Sequence, residues 1–307
     1  TRSMSSSPPD GFSVRDATLD DVGAAAAIVR AEEAALRGES DFGEADIVDF
    51  WCAANLDDAS WVAERDGIPV GFAACLDRGA ESLYWITVHP DVRGRGLSSW
   101  LLTRGEERAF AARSPSVRLG AIAENAAAQR LLADRGYSKA RHYFTMRIDL
   151  DHELAQPVWP AGIAVATFRP EDARAVHAVL NESFAEEWGW HALPFEEWRE
   201  QRLEAPHTDV SLWFLAWEGD EVAGVARCED KRDGGGWVGA IGVRKQWRGR
   251  GIGRALLQHV FAEFRRRGDP HVGLGVDADN PTGATRLYES VGMRVIKEDV
   301  IFEKDLT

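Results

Sequence analysis

The sequence predicts an α/β fold built twice in tandem, each copy a mixed sheet with helices on both faces. Three observations predict it: a length of 307 residues, an internal repeat at nearly constant spacing, and the same order of strand-like and helix-like segments within each repeat. That length accommodates two domains of ordinary size, each with its own core. The repeat is read directly from matching segments. Gly11 to Val14 recurs as Gly162 to Val165, and Gly71 to Cys75 as Gly224 to Cys228. Arg93 to Gly96 recurs as Arg248 to Gly251, Asn125 as Asn280 and Gly136 as Gly292.

Within each copy a short strand comes first (Ser13 to Asp16; Ala164 to Phe168), then a helix opened by acidic residues that suit its N-terminal dipole. Two alternating apolar runs follow, Ser60 to Glu64 with Pro69 to Leu76, and Leu212 to Trp217 with Glu221 to Cys228. Asp66-Gly67 and Gly219-Asp220 supply the hairpin turns between them. A further strand, Leu83 to Val88 or Trp237 to Val243, leads into a glycine-rich loop and a helix, and Val117 to Tyr137 or Val272 to Met293 closes the unit. The expected division is a disordered leader over 1–10, a first domain over 11–148, a linker over 149–161 and a second domain over 162–307. The linker carries two prolines and no helical period.

Composition narrows the function. Hydrophobic residues make up 45% and charged residues 28%, which fits a globular chain. The formal charge of -14 repels nucleic-acid phosphates, and the short arginine runs do not offset it. No nucleic-acid partner is expected. Three scattered cysteines without a CxxC spacing point to a reducing compartment and to no metal site. No apolar run is long enough to span a bilayer, so no membrane role and a cytoplasmic location are expected.

The chemistry centres on Val243-Arg-Lys-Gln-Trp-Arg248-Gly249-Arg250-Gly251-Ile-Gly253, a strand, a glycine turn and an amphipathic helix. Glycines let backbone N–H groups converge on one point and the helix dipole adds positive potential, so the implied ligand is a phosphate or pyrophosphate. The glycine spacing fails the dinucleotide fingerprint and no Gly-Lys-Ser/Thr follows. The first copy offers a similar loop in Val88, Arg93, Gly94, Gly96 and Ser98.

Arg248-x-x-Gly251-x-Gly253 resembles the acyl-CoA pyrophosphate motif of the GNAT N-acetyltransferase superfamily, and Asp279-Asn280 to Tyr288-Glu-Ser-Val-Gly292-Met293 is similar to its second signature. The resemblance implies two tandem GNAT folds and acetyl-CoA as co-substrate. It also implies that backbone groups of Ile241 and Val243 pair with the pantetheine, that Asn280 lies at the cofactor, and that Tyr288 protonates the departing thiolate. A phenol near pKa 10 donating to a thiolate near 8.5 is uphill by roughly 2 kcal/mol, which local dipoles can supply. Tyr288 as a core aromatic and Asn280 as a helix cap are the structural alternatives. The first copy has Leu132 where the second has Tyr288, so it is expected to be catalytically degenerate while still able to bind the cofactor.

The base is less defined. Many relatives place a carboxylate on the strand before the loop, but Trp237 to Val243 holds none. An α-amino group, with pKa about 7.7 to 8.0, would cost only about 1 kcal/mol to deprotonate. The segment from Asn181 to Glu204, rich in Glu and aromatic residues, is where the resemblance places the acceptor roof. Glu187 and His191 within it are the candidate bases, with Glu229 and Asp230 as a second choice. Tandem architecture of this length is similar to the mycothiol synthases, which acetylate a cysteinyl glycoside, although that family carries Glu where this chain has Trp237. The expected activity is N-acetylation of a small-molecule amine in the second copy; the alternatives are cysteinyl-glycoside acetylation and a non-catalytic acyl-CoA sensor.

Overall fold

A computed structural model describes residues 7–54, 56, 59–205, 208–232, 234–280 and 282–306. The chain forms two compact units, one running to His142 and resuming at Glu298, the other running from Tyr143 to Lys297.

The first repeat contributes β1 (Ser13–Asp16), α1 (Val22–Arg37), α2 (Ala45–Ala54), β2 (Ser60–Arg65), β3 (Ile68–Asp77), β4 (Ser82–Val88), α3 (Leu97–Ala111), β5 (Ser116–Ile122), α4 (Ala126–Asp134) and β6 (Ser138–Asp149). The second contributes β7 (Ile163–Thr167), α5 (Ala173–Phe184), α6 (Phe195–Trp198), β8 (Trp213–Glu218), β9 (Glu221–Arg232), β10 (Gly235–Val243), α7 (Ile252–Arg267), β11 (His271–Asp277), α8 (Ala284–Ser290) and β12 (Arg294–Asp305). The two longest helices end on left-handed glycines. Gly38 closes α1 at φ 90° and Gly268 closes α7 at φ 87°, just after three arginines that complement the helix C-terminus.

In the first unit the strands run β1-β2-β3-β4-β5-β12, and in the second β7-β8-β9-β10-β11-β6. The last strand of each unit therefore comes from the end of the other repeat. Asp299↔Ile122 to Asp305↔Ser116 join β12 to β5, and His271↔Asp149 to Asp277↔Tyr143 join β6 to β11. Val300 and Phe302 are buried in the first core, Met146 and Ile148 in the second. The repeat border expected at 149–161 thus differs from the borders of the compact units. A strand's two-residue period is the same whichever sheet receives it, so the exchange leaves no mark on the sequence. The leader expected over 1–10 falls mostly outside the described residues; at its end Pro9 O accepts the Phe12 N–H at 3.1 Å.

Each sheet is packed on both faces. In the second unit, α7 sends Leu256, Val260, Phe261 and Phe264 against one face, while α5 and Trp198 cover the β8–β9 part of the other. The sheet opens between β10 and β11. Among the described residues, β10 pairs in parallel with β11 only at Gly236↔Val272 and Trp237↔Gly273. Beyond Trp237 the two strands diverge into a wedge, and the edge of β10 from Val238 to Val243 faces it. The first unit has the same wedge, with β4 and β5 joined, among the described residues, at Ser82↔Val117 and Leu83↔Arg118.

Candidate active site

The glycine loops of the two units adopt one conformation. A 3-10 turn over Lys245–Trp247 precedes Arg248 (φ -63°, ψ 155°), then Gly249 and Gly251 take φ 76° and 91°, and α7 begins at Ile252. In the first unit Pro90–Val92 precedes Arg93 (φ -59°, ψ 152°), Gly94 and Gly96 take φ 74° and 84°, and α3 begins at Leu97. Only glycine enters this left-handed region without strain. The helix ladder starts with Ala255 donating to Gly251, and Trp100 to Gly96, which leaves the first-turn N–H groups aimed out of each helix end. Such a helix start suits an anion. Gly253 is small for packing reasons, since a Cβ there would lie 3.1 Å from Leu287 Cδ2.

The side chains of the two loops differ. Arg248 donates from Nε to the Val243 carbonyl at 3.0 Å and from Nη2 to the Ser183 carbonyl at 3.3 Å. Arg250 forms an ion pair with Glu218 at 2.5 Å, and Glu218 also accepts the Trp247 indole N–H at 2.7 Å. Arg93 instead reaches Glu32 at 3.3 Å. Pro9 also lies against the first loop, 3.6 Å from the position a Gly96 Cβ would take, whereas among the described residues no non-neighbouring atom lies within 4 Å of a Gly251 Cβ. Ser98 sits in the first turn of α3, as Gly253 does in α7.

Glu187 and Asn280 meet just beyond the end of β11, and Tyr288 on α8 lies near enough to feel the Glu187 charge. α5 ends at Phe184, whose ring stacks on Trp190 at 4.9 Å, and the turn between them, with Glu187 N–H donating to Phe184 O at 2.8 Å, turns Glu187 inward. Asn280 donates from Nδ2 to Glu187 Oε1 at 2.8 Å and accepts the Thr282 N–H at 2.8 Å. Asn280 is therefore not the cap of α8, a position taken by Gly283. Burial is the main force on Glu187, pushing its carboxyl above the usual glutamate value against the Asn280 hydrogen bond, and the Asp277 charge adds to the rise. Tyr288 is buried on α8, and burial first, then the Glu187 charge, pushes its phenol above 10. A phenol so held keeps its proton until a strong base forms beside it.

Glu32 and Asn125 repeat the pair in the first unit, Asn125 Nδ2 donating to Glu32 Oε1 at 2.9 Å. Both partners stand 155 residues before their counterparts. Asn125 does cap its helix, accepting the Ala128 N–H at 3.0 Å, and Leu132 is buried in the first core. His191 is exposed, four residues beyond Glu187. Several carboxylates of the acidic roof pair with basic side chains, Glu182 with Arg244, Glu186 with Lys245 and Glu196 with Arg199. The roof is thus less anionic than its composition suggests.

Ile241 and Val243 lie on the stretch of β10 that borders the wedge, where Val243 O already accepts from Arg248. A second asymmetry escaped sequence reading. The β9–β10 ladder shifts register between Val238 and Ala240, a bulge at Gly239, while β3 and β4 pair regularly from Gly71↔Val88 to Asp77↔Ser82. A bulge turns backbone groups away from the ladder. The only sequence signal was Gly239 inside an apolar strand.

The acetyltransferase (GNAT) family pattern matches residues 26–137 and 173–293, once in each repeat. The chain belongs to the acetyltransferase (GNAT) family. Its relatives include the mycothiol acetyltransferase of Thermobispora bispora, 34% identical over 71% of this chain and 75% of that protein. The mycothiol acetyltransferase of Thermomonospora curvata is 33% identical over 80% and 82%. A GCN5-related N-acetyltransferase from Sphaerobacter thermophilus superposes with a TM-score of 0.84 at 34% identity, covering 97% of each chain. A tandem GNAT protein from the clavulanic acid biosynthesis pathway shares the fold, with a TM-score of 0.75 at 17% identity over 96% of this chain and 98% of that one. As a GNAT protein with acetyltransferase relatives, the chain is an acyltransferase enzyme of tandem architecture. Among the described residues no helix is long and apolar enough to cross a membrane, and no three His, Cys, Asp or Glu side chains form a metal-binding group.

Proposed function

We propose that the protein transfers the acetyl group of acetyl-CoA to the amine of a small molecule by direct attack, with the chemistry in the second unit. The observation that carries this reading is the grouping of Tyr288, Glu187 and Asn280 just beyond the end of β11, set against Leu132 in the first unit. The wedge suits acetyl-CoA: its β10 edge is available to a strand-like pantetheine, and the Gly249–Gly253 turn at its wide end suits a pyrophosphate. Arg248 and the first-turn N–H groups would hold the phosphates.

In the step proposed, the free-base amine attacks the thioester carbonyl, the C–S bond breaks, Glu187 takes the proton lost by nitrogen, and Tyr288 gives its proton to the departing thiolate. The raised pKa of Glu187 brings it nearer to neutrality, where a general base works best. Tyr288 is kept protonated until the thiolate forms. The first unit keeps a cradle able to take CoA without an acid to complete the transfer. A cytoplasmic location agrees with cysteines 52, 75 and 228 being free thiols.

A second reading is acetylation of a cysteinyl glycoside, favoured by the relatives named mycothiol acetyltransferases. Trp237 on β10 weighs against it. A panel of amines supplied with acetyl-CoA and read by free-thiol release tests both. Release with simple amines supports the broader reading, release confined to cysteinyl glycosides supports the narrower one, and none with any amine overturns both.

A further inference from the structure

At the bulge of β10 the structure holds a charged cluster that the transfer step above does not use. Gly239 lies two residues beyond the last β10–β11 pair and is exposed. A Cβ on it would stand 2.6 Å from Glu229 Oε1 and 2.7 Å from Arg227 Nη2, so both charged heads lie directly over its Cα. They are joined to each other, Arg227 Nη1 to Glu229 Oε1 at 2.8 Å, and Arg232 Nη1 holds the other carboxylate oxygen at 2.6 Å. Aromatic rings fix the guanidinium groups, with Arg227 5.9 Å from the Trp213 centroid and Arg232 5.4 Å from that of Trp237. The Trp237 indole in turn crosses β11 where a side chain is missing, 2.8 Å from the position of a Gly273 Cβ.

The cluster is not needed to build the fold. Aligning Gly71 to Cys75 with Gly224 to Cys228 places Ala74 at the position of Arg227 and Leu76 at that of Glu229. The first unit forms the same sheet with those apolar residues and without the bulge. Arg227 and Glu229 are only 13% and 21% exposed, and ions so far out of water are commonly no more stabilising than apolar residues of similar size. Their presence at the wedge of the second unit alone calls for a ligand.

We propose that Arg227 and Glu229 read the acceptor, and that the acceptor is a zwitterion: an α-amino acid or another small molecule carrying an amino group and a carboxylate a few atoms apart. This rests on the acetyltransferase reading and names its substrate class. A guanidinium beside a carboxylate is the mirror of such a molecule. The acceptor's carboxylate meets Arg227 in the two-point geometry guanidinium favours, while Glu229 attracts its ammonium form on entry, before the free amine attacks with Glu187 as base. The exchange is neutral overall, so neither protein charge is left uncompensated when the acceptor enters.

The test compares α-amino acids with their carboxamides, which keep the amine and lose the carboxylate, by thiol release at saturating acetyl-CoA. Wild-type enzyme is expected to favour the acids by about tenfold or more in kcat/KM, the loss typical when a charged group's partner is removed. Arg227→Met should bring that ratio close to one with KM for acetyl-CoA unchanged, and Arg227→Lys should restore part of it. Equal rates for acids and amides in wild type would overturn the proposal whatever the variants do. So would an Arg227→Met enzyme that loses both activities in the same proportion. Transfer without the preference sinks the zwitterion site alone, whereas no thiol release with any amine sinks the transfer reading as well.

Discussion

Asn280 and Glu187 are joined by a 2.8 Å hydrogen bond just beyond the end of β11 in the second unit, and Asn125 and Glu32 make the same bond at 2.9 Å in the first. One pair has Tyr288 beside it and the other has an arginine of the glycine loop, Arg93. A shared geometry with different neighbours is what the proposed division into a working unit and a companion rests on.

That difference gives a paired expectation. Glu187→Gln, which keeps an acceptor for Asn280, should lower kcat by about a hundredfold or more, the usual contribution of a general base. Glu32→Gln should leave kcat as it is. Steady-state thiol release from both variants checks this. An unimpaired Glu187→Gln enzyme would reduce the pair to a purely architectural bond in both units.

The pH profile follows from the same site. Glu187 must be deprotonated to act, and burial raises its pKa, so kcat/KM should rise with pH along a limb lying above the ordinary glutamate value. Tyr288 must stay protonated and its pKa is also raised, so it should cause no alkaline fall below about pH 10. Glu187→Gln should abolish the acidic limb. The rise set by the acceptor amine's own ionisation should remain; a Glu187 limb at the ordinary glutamate value, or one unchanged by the substitution, would point to another base.

The first core is tightest where Tyr84 crosses α3. Its hydroxyl donates to Leu101 O at 2.6 Å, and a Cβ on Gly105 would sit 2.1 Å from the ring. Gly105→Ala should destabilise by about 2 to 3 kcal/mol, as overpacking does. Adding Tyr84→Val, the residue type at the matching position Val238, should recover part of the loss in a denaturant melt. No change in midpoint with Gly105→Ala would contradict this packing.

Asp21 accepts hydrogen bonds from Arg15 at 2.7 and 2.8 Å, which lower its pKa to about 2. A depressed carboxylate stabilises the fold above its unfolded value near 3.9, and that stability is lost as pH falls toward about 2. With Arg15 partly exposed, the bond contributes about 1 kcal/mol. Asp21→Asn should therefore lower the melting temperature at pH 7 by a few degrees and narrow the gap to wild type at pH 2. An equal gap at both values would mean that the charge is irrelevant.

Much of this organisation was legible in the sequence. Repeat spacing placed both glycine loops, and Gly94, Gly96, Gly249 and Gly251 do take the left-handed conformation that such a turn requires. Two features were not legible. The exchange of β6 and β12 depends on which sheet edge a strand meets, and alternation in Ser138 to Asp149 is silent on that. The cluster over Gly239 joins residues of two strands across a register shift, and spacing along the chain cannot show a bulge. The aromatic and acidic stretch from Asn181 to Glu204 suggested an anionic roof, yet Glu182, Glu186 and Glu196 pair with basic side chains that lie elsewhere in the chain or one turn away.

Tyr288 carries the claim that chemistry belongs to the second unit, and its hydroxyl can be removed with little disturbance of packing. The decisive measurement is kcat for Tyr288→Phe by thiol release, beside the calorimetric Kd for acetyl-CoA. The expected result is a kcat lower by about a hundredfold or more with Kd nearly unchanged, as for loss of a general acid. Wild-type turnover in the phenylalanine variant would contradict it.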